Sequence, residues 1–125
     1  DDSGRRLLSA SWPLDRTADA YQKFMKTFAP LREWIGRGER LAEADAFTAR
    51  ILLIHHYRRV VLRDPLLPTA LLPADWPGRA ARALCGEIYR ALLPASEQWL
   101  DRHATNESGP LPKPGPELSE RFGDP

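Results

Sequence analysis

Cysteine is almost missing from this chain: Cys85 stands alone among 125 residues, so no disulfide can close within it and no thiolate cluster can hold a metal ion. Long apolar runs are missing too. The longest, Ile51 to Ile54, falls far short of the ~20 residues that a membrane-spanning helix needs, and no signal-peptide pattern opens the chain. Both absences fit a reducing cytoplasm. There is no excess of charge of either sign, since 18 Lys and Arg face 17 Asp and Glu for a formal net charge of +1. A self-sufficient DNA-binding protein is usually more basic, because phosphate contacts dominate its affinity. The period-two alternation of half-buried strands is also lacking. The first residue is Asp1, not Met, which reads as a fragment of a longer protein.

Proline and helical periodicity are what the sequence does have. Five of the 12 prolines, at 110, 112, 114, 116 and 125, lie in residues 105–125, a Pro/Gly-rich tail with little to bury. Residues 1–104 then form the domain proper, with the first dozen residues a lead-in to Trp12 and Pro13. Its length suits one domain with a real core. A first helix is predicted from Asp15, a good capping residue, with Tyr21, Phe24, Met25, Phe28, Leu31 and Ile35 recurring at spacings of three and four. Pro30 should bend or break it, and Gly36 and Gly38 close it. A second helix over about 45–63 is apolar around most of its circumference and should be the most buried element. After a proline-punctuated loop over 64–78, a third helix begins with Asp75 or Trp76 as cap and Pro77 in its first turn, and runs to about Leu93. Pro94 then starts or kinks a fourth. The expected fold class is all-α, a small bundle of four or five helices.

Several residues stand out on these helices. At about 100° per residue, Arg58 falls among Phe47, Ile51, Ile54 and Leu62 on the second helix. A guanidinium in an apolar arc is costly unless paired, or its stem runs along the core to water. Pairing with Asp64 or Asp75, at the two ends of the loop, is the reading adopted. Residues 50–90 carry seven arginines against Asp64, Asp75 and Glu87, a local net of +4. Thr48, His55, Arg59 and Arg63 share a polar stripe on the second helix; Arg79, Arg82 and Arg90 share one on the third. Such stripes read either as solvated faces with local pairs, such as Arg90 to Glu87, or as an anion-binding surface.

Metal and catalytic chemistry find little purchase. His55 and His56 are adjacent and point apart, His103 is remote, and no metal-ligand spacing occurs. Nothing resembles a nucleophile–base–acid set or a phosphate-cradling glycine loop. Cys85, with Ala81, Leu84 and Ile88, reads as a small buried hydrophobe. The four tryptophans read as core or interface anchors, since no basic groups interleave with them.

The 64–78 loop is the most informative segment. Pro65, Pro68, Pro73 and Pro77 each fix their own backbone and restrain the residue before. With Leu66, Leu67, Leu71, Leu72 and Trp76 it reads as a rigid strap closing the core, or as one wall of a ligand pocket. The run Asp64-Pro65-Leu66-Leu67-Pro68, then Leu71-Leu72-Pro73 and Asp75-Trp76-Pro77-Gly78, then Ala81-Arg82, resembles the C-terminal domain of PaaX-type transcriptional repressors. His55 to Arg63 and the opening Trp12, Leu14, Tyr21, Phe24, Pro30 and Leu31 are similar to the same family, so the resemblance covers roughly residues 12–101.

That resemblance implies repression of phenylacetate-type aromatic-acid catabolism, with a thioester effector, phenylacetyl-CoA, releasing the repressor from DNA. It implies partners within the full-length protein, an N-terminal winged helix and a ferredoxin-like middle domain, and a homodimer. His55, Arg59, Arg63, Arg79 and Arg82 become candidates for gripping coenzyme A phosphates, because guanidinium matches phosphate geometry. Two functions remain in play: a regulatory module that binds the effector or a second protomer, and a purely structural interaction domain with effector binding elsewhere. An enzyme is not expected, nor is direct DNA binding by this fragment, membrane association or a resident cofactor.

Overall fold

The computed structural model describes residues 14–103; the lead-in and the 105–125 tail lie outside them. Three α-helices fill the described region: α1 (Leu14–Gly36), α2 (Glu43–Val61) and α3 (Gly78–His103), with a 3-10 turn at Thr69–Leu71 between the last two. The all-α expectation holds. No strand occurs among the described residues.

The apolar stripe read on α1 is the face it buries. Tyr21, Phe24, Phe28 and Leu31 are all inside, and Met25 and Ile35 pack half-buried beside them. At the end of α1 the amides of Arg37 and Gly38 donate back to Glu33 and Ile35, and Gly38 turns the chain at φ +82°, a left-handed conformation that costs glycine little. The chain then reverses, and α2 runs antiparallel to α1, with Phe28 meeting His56, Phe24 meeting Tyr57 and Tyr21 meeting Asp64. A second reversal brings α3 antiparallel to α2, where Phe47 stacks on Trp99 and Glu43 pairs with Arg102. Phe28, Leu31, Leu53 and Ile88 are the largest apolar side chains sealed at the centre, each contributing about 1.5–3 kcal/mol by leaving water.

Four or five helices were expected, and the described residues hold three. Pro30 and Pro94 both lie inside uninterrupted helices. Each removes one backbone donor, a cost of about 3 kcal/mol, but the sites are flanked by Phe28 and Leu31 in one case and Leu92 and Ser96 in the other, all buried. Packing on both sides outweighs the missing rung. Helix ends move as well. Asp15 lies within the first turn of α1, α2 starts at Glu43 without a side-chain cap, and Pro77 precedes α3, its carbonyl accepting from the amide of Ala81 at 3.0 Å.

The expectation for Arg58 fails. The residue is exposed, and its side chain forms no hydrogen bond or ion pair with the described residues. The core lies along Ala46, Ala49, Leu53 and Val60, so the arc of Phe47, Ile51, Ile54 and Leu62 points largely away from it. Leu62 is 77% exposed. Asp75 is exposed too, and Asp64 is engaged elsewhere. The inward arginine is Arg50, which reaches Glu97 at 2.8 Å, the fully buried hydroxyl of Ser96 at 3.1 Å and the Tyr89 hydroxyl at 3.2 Å. Thr48 is buried rather than part of a polar stripe, and its hydroxyl donates back to the Ala44 carbonyl. Glu87 pairs with Arg32 of α1 at 2.9 Å, not with Arg90.

Candidate functional site: clefts on two sides of α2

The C-terminal half of α2 borders the clefts, because α1 and the loop before α3 both pack against it and leave openings at their seams. The loop is organised by Asp64. One of its carboxylate oxygens accepts from the buried Tyr21 hydroxyl at 2.6 Å, and the other accepts from the amide of Leu66 at 2.8 Å. Burial, then the hydrogen bond and negative charge of Asp64, push the Tyr21 phenol well above its usual range, so it stays a donor throughout the physiological range. The edge of Trp76 meets the Tyr21 ring at 6.0 Å and 81°. Gly78 makes that contact possible, since a Cβ there would stand 2.7 Å from the Trp76 indole nitrogen. Tyr21→Phe should cost about 1–1.5 kcal/mol without disturbing the helices. Denaturant unfolding checks this, and an unchanged midpoint would show that the Asp64 bond contributes nothing.

The strap is only partly a strap. Leu67 and Leu72 are half-buried, but Leu66 is 71% exposed and Leu71 is exposed as well. Leu66 also sits at φ +56°, a left-handed conformation that costs a non-glycine residue roughly 1–3 kcal/mol. Beneath the loop opens a cleft of about 570 Å³, lined by Tyr21, Tyr57, Leu67, Leu72, Pro73 and Trp76. Arg79 and Arg82 belong to the same wall, and Arg79 lies 3.4 Å from the Thr69 hydroxyl. A groove of about 560 Å³ shares Tyr57, Arg79 and Arg82 with it and runs along α3 past Gly86 to Tyr89 and Arg90. Gly86 leaves room for the Arg90 guanidinium, which comes within 3.2 Å of where a Cβ would stand.

Arg59 and Arg63 are elsewhere. They face α1 across a groove of about 790 Å³ that has no lining residue in common with the loop cleft. The basic residues read from the sequence as one surface are therefore two, and His55, exposed on α2, lines none of these clefts. Tyr57, which lines both the loop cleft and the groove along α3, and Tyr89 of that groove were not singled out from sequence, and neither were Arg16 and Lys23 of the α1–α2 groove. Nothing in one helix's periodicity marks them; they meet only when helices pack.

The titratable groups argue against catalysis at these clefts. Burial raises the Cys85 thiol and the Tyr57 phenol, the opposite of an activated nucleophile. Among the described residues, no group of three or more His, Cys, Asp or Glu side chains is placed to hold a metal. His56, edge-on to Phe28 at 5.6 Å, is lowered below its ordinary 6.5, first by burial and then by His55 and Arg59. Lys23, Asp19 and Arg63 face the same groove. A histidine held neutral in the fold takes up its proton more readily when unfolded. Its contribution is therefore present above pH 6.5 and is lost as pH falls through the interval below it. Thermal midpoints at pH 7 and pH 5 should thus differ more in the native chain than in His56→Gln. Equal slopes would remove His56 from the acid response.

With the geometry in view, the fold defines an all-helical family domain. Residues 12–102 match the family of PaaX-like protein C-terminal domains, and the chain belongs to that family. It is similar to the transcriptional repressor PaaX of Escherichia coli (strain K12), 40% identical over 120 residues, which cover 95% of this chain and 38% of the relative. The chain thus spans well under half the length of the relative it matches. Among the described residues no helix is long and apolar enough to cross a membrane.

Proposed function

We propose that this domain is a regulatory part of a transcriptional repressor of aromatic-acid catabolism, and that it contributes to binding an aryl-acetyl-CoA effector such as phenylacetyl-CoA. The observation that carries this reading is the continuity of two environments. The aromatic and aliphatic cleft under the loop joins, through Tyr57, Arg79 and Arg82, a groove that ends at Arg90. A coenzyme A thioester has the same order, an apolar acyl end and an anionic end joined by a long arm. The aryl group would lie against Tyr21 and Trp76, and the phosphates would meet Arg79, Arg82 and Arg90, where bidentate guanidinium contacts are strong. Of the five effector candidates from sequence, this placement keeps Arg79 and Arg82 and leaves out His55, Arg59 and Arg63. The role is binding, as befits kinship with a repressor rather than an enzyme, and DNA reading falls to regions of the protein beyond this domain.

Calorimetry of the 125-residue chain with phenylacetyl-CoA tests the proposal. The Arg79→Ala, Arg82→Ala double variant should bind at least about tenfold more weakly, a loss of ~1.4 kcal/mol, with a flatter salt dependence. Unchanged affinity in that variant sinks the placement. A purely structural role, docking a second protomer or other domains of the protein, is the alternative. It draws on the exposed Leu62 and Leu66, side chains of the kind that interfaces cover.

A further inference from the structure

The α1–α2 groove gathers cations from two helices. Arg16 and Lys23 stand on its α1 wall, Arg59 and Arg63 on its α2 wall, and all four are exposed. None of them forms an ion pair with a described residue, as Arg79, Arg82 and Arg90 do not either; what sets the four apart is that two helices bring them to one groove. In a chain of net charge +1, four cations without carboxylate partners, gathered from two helices into one concavity, are not accounted for by solvation of a single helix face. They arise because α1 and α2 are antiparallel, which sets the start of one helix beside the end of the other.

The geometry narrows the ligand. Arg16 and Lys23 are two helical turns apart, roughly 10 Å, and Arg59 and Arg63 are one turn apart, roughly 6 Å. A single phosphate cannot reach all four, so two or more are required. Between the walls lie Ala20, Phe24 and Val60 with Thr27 and the His56 ring, uncharged groups that suit a planar base better than more charge. One carboxylate, Asp19, is set among the cations. A site for bare polyphosphate gains nothing from it, whereas ribose hydroxyls need such an acceptor, as in dinucleotide sites. At about 790 Å³ the groove lies within the range of small-molecule sites.

We propose that the α1–α2 groove binds a nucleotide carrying at least two phosphates, its phosphates held by Arg16, Lys23, Arg59 and Arg63, its base on Phe24 and Val60 and its ribose at Asp19. The site is separate from the thioester cleft under the loop, and it stands whether or not that cleft binds its effector. Calorimetry of the 125-residue chain at low ionic strength, with ADP, adenosine 3′,5′-bisphosphate and pyrophosphate as probes, decides the matter. At least one of the two nucleotides should bind, and about tenfold or more tightly than pyrophosphate. Its affinity should fall about tenfold or more in Arg59→Ala, Arg63→Ala and by a smaller factor in Lys23→Ala. These positions are exposed, so circular dichroism should show the variants folded. In an Arg79→Ala, Arg82→Ala background, adding Arg59→Ala, Arg63→Ala should still weaken nucleotide binding about tenfold or more, which separates this site from the loop cleft. Absence of binding by both nucleotides, equal affinity for pyrophosphate, or full affinity in the Arg59, Arg63 variant overturns the proposal.

Discussion

Phe28→Ala should lower the stability of the domain by about 3–5 kcal/mol, the usual range for deleting a sealed aromatic ring. The ring is 0% exposed and lies 5.0 Å from Phe24 and 5.6 Å from His56, so it is gripped from its own helix and from α2. Neither neighbour can slide into the void without unseating the seam between α1 and α2. Domains of this size are stable by only about 5–15 kcal/mol, so the variant should sit near the edge of folding. Each kcal/mol lost should lower the melting midpoint by roughly 4–8 °C. Urea unfolding of the two proteins gives the difference directly. A loss under about 1 kcal/mol would mean that the seam can close and that the core is centred elsewhere.

Arg50→Met should cost about 1–3 kcal/mol, the penalty for stranding a buried polar partner. Its guanidinium serves three groups on α3, of which the Ser96 hydroxyl is fully enclosed. The remaining partners are cheaper to lose. Glu97 is 50% exposed and can turn to water, so the ion pair itself contributes little, and the stacking of Arg50 over Tyr89 at 5.3 Å adds a modest amount. The signature should therefore be asymmetric. Arg50→Met should be clearly destabilising and Glu97→Gln close to neutral, within about 0.5 kcal/mol. Equal costs would show that charge, rather than the enclosed hydroxyl, carries the contact.

Arg50 also shows what a sequence can and cannot disclose here. Its neighbours one turn away, Ala46, Phe47, Leu53 and Ile54, are as apolar as those of Arg58, so apolar spacing could not tell the two arginines apart, and the expectation settled on the exposed one. A helical wheel finds an apolar arc, but α2 is apolar on more than one side and only packing decides which side is the core. On α1, where the stripe from Tyr21 to Leu31 is single, the buried face was legible. Pro30 and Pro94 misled for a related reason: the loss of one hydrogen bond is visible locally, while the burial that offsets it comes from other helices. The candidate site was legible as residue types, in Arg79 and Arg82 and the proline loop. The bond from Tyr21 to Asp64, which spans 43 residues, and the parting of Arg59 and Arg63 from Arg79 and Arg82 exist only in three dimensions.

An engineer asked only to make this domain more robust would start at Leu66. A glycine or asparagine would relax its backbone, and polar residues at Leu62 and Leu71 would remove apolar surface from water. All three positions lie in or beside the segment that roofs the cleft. The easiest gains in robustness thus fall on the exposed apolar side chains beside the cleft, and a variant chosen by melting temperature alone would first erase the surface on which the proposed binding rests.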